Sequence, residues 1–214
     1  MTELTLAPPL DGVWTPVPGE ARDLLAERVR DFDALPRAMT LGAIQVRKLP
    51  FYSEVILGDA QTLGSDGPGA MLGFLYGRDG VRPLTGRSDV IHDLNARLPP
   101  DLGDRAAQET YLKFFCGFVH GDDGPFEILL SGDQIAPDET PTQPIAPPAF
   151  HEATGLWTTT VLYGAALFDA DFSVGADGNV KMERDAVISE RVTRSPQLVF
   201  DGAARHRKGP SHDA

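Results

Sequence analysis

Residues 165–174 read AALFDADFSV, and this stretch indicates the fold. Apolar side chains stand at positions 168, 170, 172 and 174, and polar ones alternate with them at 169, 171 and 173. Successive side chains of a β-strand point to opposite faces, so the pattern predicts a strand with one apolar face. An isolated strand pair is only marginally stable in water, and this face therefore needs a covering element.

The covering element is predicted in residues 111–124, YLKFFCGFVHGDDG. At about 100° per residue, the bulky apolar side chains fall within one broad arc of a helix. These side chains are Tyr111, Leu112, Phe114, Phe115, Phe118 and Val119. The segment predicts a helix that packs on a sheet through this arc and ends at the turn GDDG.

The remaining strand-like runs are separated by turn signals. Runs of β-branched and aromatic residues include LGAIQVRKL, FYSEVILGDA, GAMLGFLYG and LWTTTVLY. Asp-Gly pairs at 66–67, 79–80 and 177–178 lie between such runs. Glycine accepts the positive φ of tight reversals, so these pairs favour antiparallel hairpins. The predicted class is α+β, a single domain with an antiparallel, meander-rich sheet and about two main helices packed on one face.

Composition along the chain predicts its organisation. Residues 1–19 are rich in proline and predict an extended arm. Residues 20–195 are expected to form the single α+β domain, beginning with a helix over Glu20–Leu35 that ends at Pro36. Within that domain, the proline-rich segment 136–150 is predicted to be a surface connection. Residues 196–214, with the basic cluster RHRK, are predicted to be a flexible, solvated tail.

Charge and composition exclude several classes of partner. The chain has 31 acidic and 19 basic residues, a net charge of −12, which repels nucleic-acid backbones and anionic lipid. No run approaches the roughly 18 apolar residues of a membrane-spanning helix. The N-terminus lacks the features of a secretory signal, and a single cysteine cannot form an intramolecular disulfide. A soluble, cytoplasmic protein is expected, with neither nucleic acid nor membrane as partner.

Cys116 and His120 are candidates for catalysis, because residues four apart on a helix are neighbours on its surface. An imidazolium beside the thiol would lower the pKa of the cysteine and create a nucleophile. The pair lies in the last turn, however, where the helix dipole disfavours a thiolate. We therefore interpret Cys116 as a small packing residue and His120 as a cation near the helix end.

A metal site near His120 is not expected. His120, Asp122 and Asp123 match neither the spacing of zinc ligands nor a twelve-residue calcium loop. Asp122, Asp123 and Gly124 are explained more simply as a turn, so no metal and no cofactor are predicted. His120 and Asp122 remain candidates for contacts with a ligand.

The segment GRSDVIHDLN, residues 86–95, predicts a short helix with Ser88 as its N-cap. Ser88, His92 and Asp93 contain the residue types of a catalytic triad, but consecutive residues of one helix point in different directions. Arg87 and His92 are polar residues beside an apolar helix face, and they could line a pocket. His92 is also retained as a catalytic candidate.

The functional hypothesis rests on this architecture and on the lack of a recognisable catalytic motif. We expect a soluble, cytosolic, bacterial-type accessory domain that is not an enzyme and binds a protein partner or a small molecule. One alternative is an enzyme that uses His92, Cys116 or His120 in a cleft. Another is a homodimeric accessory protein that covers an exposed sheet face with a second copy.

Overall fold

A computed structural model describes residues 10–30, 40–64, 67–137, 140–193, 198–201 and 204–207. The first elements are β1 (Thr15–Pro16), α1 (Gly19–Arg30), β2 (Thr40–Lys48), β3 (Ile56–Gly64), β4 (Gly67–Gly77) and β5 (Gly80–Pro83). The helices α2 (Asp89–Asn95) and α3 (Arg105–Phe118) follow. Next come the short strands β6 (His120–Gly121), β7 (Gly124–Pro125), β8 (Glu127–Ile128), β9 (Ala136–Pro137) and β10 (Ala149–His151), with a 3-10 turn at Gly132–Gln134. The last strands are β11 (Leu156–Tyr163), β12 (Ala166–Val174), β13 (Val180–Ser189), β14 (Val192–Thr193), β15 (Leu198–Asp201) and β16 (Ala204–Arg207).

The described residues divide into two compact units. The first contains the described residues up to Thr85 together with β15 and β16, and the second contains the described residues within 86–195. Both units combine helices with antiparallel sheets, so the predicted α+β class and the antiparallel pairing are confirmed. The main helices are distributed one to each large sheet. The single-domain boundaries, 20–195, stay a prediction.

The sheet of the first unit has the strand order β1-β2-β3-β4-β16-β15, and β5 pairs with the end of β4. The turn between β4 and β5 contains Asp79, and Gly80 follows it with a φ of 95°. Asp-Gly is therefore used at this reversal as predicted, because glycine tolerates the positive φ.

Helix α1 covers one face of this sheet. Leu25, Ala26 and Val29 are buried against Ile44 and Leu72 of the strands. Leu24, the apolar neighbour of Leu25 on this helix, is 58% exposed. The helix is described to Arg30, and the predicted continuation over 31–35 lies outside the described residues.

The chain ends of the first unit also enter the sheet. In the N-terminal arm, β1 pairs with β2, and the Trp14 indole N–H donates to the Leu10 carbonyl at 2.9 Å. Residues 198–201 and 204–207 were predicted to be part of a flexible tail, but they form an antiparallel hairpin, with β16 paired to β4. The reason is that β4 offers backbone groups that need partners, and Arg205 is only 4% exposed.

The second unit contains a sheet of order β10-β11-β12-β13, with β8 paired to β11. Its apolar face packs on α3 as predicted. Leu112 and Cys116 of the helix are buried with residues of this sheet, and these are Trp157, Val161, Ala170 and Phe172. The alternating strand that indicated the fold is β12, and its partly buried Val174 joins the same cluster.

The proline-rich connection 136–150 runs along the surface of the second unit. Residues 140–150 are exposed or half-buried, and residues 138–139 lie outside the described part. Backbone hydrogen bonds nevertheless attach it, from Thr142 N to Ile188 O at 2.8 Å and from Thr160 N to Ala146 O at 3.0 Å. Its two ends pair as β9 and β10.

Candidate functional site

The short helix α2 supplies one side of the candidate site. Ile91 and Leu94 are buried and fix the helix, while His92 is half-buried beside them. The His92 ring lies 5.6 Å from the ring of Phe115 on α3, between ring centroids. Ser88 occupies the N-cap position as predicted, but its side chain makes no capping hydrogen bond, because its backbone is already helical with φ −69° and ψ −25°.

The β12–β13 hairpin supplies the other side. An Asp177 carboxylate oxygen accepts a hydrogen bond from the Asn179 backbone N–H at 3.0 Å. Across the loop, Gly175 N donates to Asn179 O at 2.8 Å, and Gly178 N donates to Gly175 O at 2.9 Å. Gly178 has a φ of 76°, which explains why glycine follows Asp177. These bonds hold the Asp177 and Asn179 backbones in one conformation.

A buried chain of hydrogen bonds joins the two sides. Asn95 Nδ2 donates to the Tyr111 hydroxyl at 2.8 Å, and that hydroxyl donates to the Gly178 carbonyl at 2.7 Å. Asn95 is 5% exposed and Tyr111 is fully buried. A Cβ atom at Gly178 would stand 2.3 Å from Asn95 Nδ2, so the approach of the hairpin also requires glycine there. We call Asn95, Tyr111 and Gly178 the buried relay.

An open cleft of about 290 Å³ adjoins the relay at Asn95. It is lined by His92, Asn95, Ala96, Asp177 and Asn179. The lining contains one carboxylate, one imidazole and two amides, and it contains no lysine or arginine. The cleft can therefore donate and accept hydrogen bonds, and its only permanently charged side chain at neutral pH is Asp177.

Burial determines the chemistry of the relay's hydroxyl. It raises the pKa of Tyr111 far above its usual range, although the hydrogen bond from Asn95 opposes the shift, and the nearby negative charge of Asp177 raises the pKa further. Tyr111 is consequently protonated at any physiological pH. It acts as a hydrogen-bond donor to the Gly178 carbonyl and cannot serve as a base.

Cys116, the first catalytic candidate, is buried in the α3–sheet cluster. Burial raises the pKa of its thiol to about 12. A nucleophilic cysteine needs the opposite shift and access to substrate. The geometry agrees with the interpretation of Cys116 as a packing residue, though its thiol is more deeply buried than its place at the flank of the helix arc indicated.

His120 is not on the helix, contrary to the predicted pair with Cys116. Helix α3 ends at Phe118 because Val119 takes an extended conformation with φ −99° and ψ 129°. His120 lies in β6, where its N–H donates to the Gly86 carbonyl at 2.8 Å. Its ring packs on Gly86, and a Cβ there would stand 2.6 Å from Nδ1.

Arg87 and Asp122 lie outside the lining of the cleft. The exposed Arg87 guanidinium pairs with Asp89, with its Nε 3.0 Å from the carboxylate. This pairing raises the pKa of Arg87 and lowers the pKa of Asp89. Asp122 is exposed in the turn between β6 and β7. Of the predicted candidates, His92 alone is among the residues that line the cleft.

Two general properties of the described residues bear on the site. No three of their His, Cys, Asp and Glu side chains form a group that could hold a metal ion. None of the helices in the described ranges is long and apolar enough to cross a lipid bilayer.

Sequence reasoning missed every residue of the cleft and its support except His92. Asp177 and Gly178 were interpreted as a turn, and Tyr111 was assigned to the apolar arc of α3. Asn95 gave the clearest available signal, since a polar amide at the end of an apolar helix face requires a buried partner. No protein-family model matches the chain, and no curated protein and no solved structure matches it significantly.

Proposed function

We propose that the protein is a non-enzymatic accessory domain that binds a small molecule in the cleft between α2 and the β12–β13 hairpin. The observation that carries this proposal is the buried relay, which connects both walls of the cleft through the Tyr111 hydroxyl. A wall fixed before binding loses little conformational entropy when a ligand arrives.

The size of the cleft favours a small ligand over a protein partner. Ligand pockets have typical volumes of roughly 300–1,000 Å³, and this cleft, at about 290 Å³, lies at the lower limit. The polar groups come from two separate elements and converge on one space, as in sites that orient a ligand through a few hydrogen bonds.

Binding without catalysis is favoured by the surroundings of the candidate nucleophile and base. The buried Cys116 thiol has a pKa of about 12 and cannot supply a thiolate at neutral pH. Tyr111 remains protonated beneath the cleft. The enzyme alternative then depends on His92 with Asp177, and it would need a substrate that places its reacting atom between these two side chains.

The test is a fragment screen observed by ¹⁵N NMR on the full chain, using neutral, cationic and anionic compounds of fewer than about 15 heavy atoms, a size consistent with a small pocket. Bound fragments are expected to shift the backbone amides of Ala96, Gly178 and Asn179. The variant Ala96→Phe places a ring in the cleft without removing a relay group, and it should abolish these shifts.

The matched control is Arg97→Phe. Arg97 is the next residue, is exposed and does not line the cleft, so this variant adds the same ring to the same end of α2. It should bind fragments as the unmodified protein does. A screen in which no fragment produces shifts sensitive to Ala96→Phe would remove the cleft from consideration as a binding site.

A further inference from the structure

We infer that the ligand of this cleft is a small organic cation with N–H donors, held by the Asp177 carboxylate. This inference rests on the proposed function and names the class of its ligand. It is carried by the charge of the lining and by the acceptor groups that the lining contains.

The charge of the lining excludes a complementary anion site. Among the five lining residues, Asp177 carries a fixed negative charge, His92 is the other ionisable side chain, and neither lysine nor arginine contributes. Protein sites for carboxylate or phosphate groups generally use arginine, lysine or clustered backbone N–H groups. The net charge of −12 further disfavours the approach of anions and favours that of cations.

Asp177 is positioned to accept hydrogen bonds from a ligand. It is exposed, and its Oδ1 accepts the Asn179 N–H at 3.0 Å, which orients the carboxylate on the hairpin. An ionised carboxylate has about four lone-pair sites, so this bond leaves capacity for a donor from the cleft. The negative charge of Asp177 also acts on Tyr111 at the base of the cleft, where it contributes to raising the pKa of that hydroxyl.

Two other lining groups can complete the coordination of an ammonium group. The His92 ring can offer one nitrogen as an acceptor, and the Asn179 side chain offers a carbonyl oxygen. An ammonium has three N–H donors, which matches a carboxylate, an imidazole and an amide oxygen. A neutral donor can already make a strengthened hydrogen bond to the ionised carboxylate, and a cation adds Coulomb attraction to Asp177 that a neutral analogue lacks.

An inorganic cation would fit this lining less well. Calcium takes six to eight oxygen ligands and magnesium requires near-octahedral coordination. The cleft offers one carboxylate, and the described residues contain no group of three metal-binding side chains. The lining therefore suits a ligand with directional N–H donors better than it suits a metal ion.

The experiment compares three probes that share a benzyl or phenyl ring and differ in charge: benzylammonium, benzyl alcohol and benzoate. Each is titrated into the ¹⁵N-labelled full chain, and the shifts of Ala96, Gly178 and Asn179 are followed at low ionic strength. Benzylammonium is expected to bind at least about threefold more tightly than benzyl alcohol, the scale of a solvent-exposed ion pair, and benzoate most weakly. Calcium chloride serves as the inorganic probe and should not shift these amides.

The variant Asp177→Asn removes the charge and retains an oxygen for the Asn179 N–H. It should reduce benzylammonium affinity to that of benzyl alcohol. The control Asp93→Asn removes the same charge from the exposed surface of α2, outside the lining, and should change the affinity less than about twofold because exposed charges are screened.

The outcomes separate the two proposals. If benzyl alcohol or benzoate binds as tightly as benzylammonium, or if Asp177→Asn leaves the preference unchanged, the cation class is overturned. The cation class is also overturned if benzylammonium does not bind while other fragments produce shifts that Ala96→Phe abolishes. In that case the proposed function stands. If no compound gives shifts blocked by Ala96→Phe, both proposals fail.

Discussion

Asp59 and Arg205 form a buried ion pair that joins β3 to β16 within the first unit. Arg205 Nη2 lies 3.1 Å from Oδ1 and 2.9 Å from Oδ2 of Asp59, which is fully buried. Asp59 aligns with Gly73 on β4 and Arg205 aligns with Met71, so both side chains lie on the same face across the intervening strand. The C-terminal hairpin is thereby attached by charge as well as by backbone pairing.

The first test of this attachment is Arg205→Met, which retains a long apolar side chain and leaves the Asp59 carboxylate buried without its cation. Removing one partner of a buried ion pair costs about 3–5 kcal/mol, and we expect the free energy of unfolding in urea to fall by that amount. The control His206→Gln changes a half-buried neighbour on the opposite face and should cost less than about 1 kcal/mol. A loss below about 1 kcal/mol for Arg205→Met would show that the pair contributes little.

The pH dependence of Arg205→Met provides a second test. Burial raises the pKa of Asp59, and Arg205 opposes this shift. Without Arg205, the folded-state pKa should rise further above the unfolded value of about 3.9. A carboxyl with a raised folded-state pKa takes up a proton on folding, so its stabilising contribution is largest below the unfolded pKa and is lost as pH rises through the folded pKa.

The destabilisation of Arg205→Met, relative to the unmodified chain, should therefore be smaller at about pH 4.5, close to the unfolded carboxyl pKa, than at about pH 7. Urea unfolding of both proteins at each pH gives the difference. An equal or greater loss at the acidic pH would contradict the assignment of Asp59 as the titrating group.

The relay can be tested by Tyr111→Phe. This variant keeps the ring and removes the hydroxyl, which leaves the Asn95 amide and the Gly178 carbonyl without that partner. Leaving buried polar groups without hydrogen bonds costs about 1–3 kcal/mol, and we expect that loss in urea unfolding. Tyr76→Phe is the matched control, since Tyr76 is 40% exposed and its variant should cost less than about 0.5 kcal/mol. Equal costs for the two variants would mean that the relay does not stabilise the hairpin.

The thiol of Cys116 should react slowly with alkylating reagents in the native protein, because it is 3% exposed and its pKa is about 12. An unfolded cysteine has a pKa of about 8.5, so the thiol's contribution to stability is present below that pH and is lost as pH rises toward 12. Between pH 7 and 9 the native thiol should be alkylated only in opened molecules, and therefore far more slowly than in the urea-unfolded chain, which is the fast control. A fast reaction of the native protein at pH 7 would revive the enzyme alternative.

Local periodicity was sufficient to predict the class of fold and several contacts. The alternation in β12 and the aromatic arc of α3 both result from burial of one face of the element. Burial of one face determines the spacing of the apolar residues, so the sequence alone reveals it. Arg205 was misassigned because a basic cluster near a chain end is normally solvated, and its partner Asp59 is distant in sequence. His120 was placed on the helix because no residue type near Val119 requires the helix to end there. The cleft could not be derived because turn residues 177–179 and the helix amide Asn95 meet only through tertiary packing.

The proline-rich connection offers the last test, which concerns the cohesion of the second unit. A site-specific protease recognition sequence inserted after the exposed Thr140 allows the chain to be cut there. One fragment then carries α3, and the other carries β11 to β13. Leu112 and Cys116 bury apolar surface against Trp157 and Phe172, so neither fragment can cover that surface alone.

We expect the cut fragments to coelute in size-exclusion chromatography and to keep the circular dichroism of the uncut insertion variant, which serves as the control. Each buried large side chain contributes roughly 1.5–3 kcal/mol, so several of them across the cut outweigh the modest entropy of releasing one loop. Separation of the fragments, with the C-terminal one folded and monomeric, would show that β11 to β13 do not depend on α3. The single-domain boundaries predicted from the sequence would then be wrong, since a unit that folds alone would begin after residue 140.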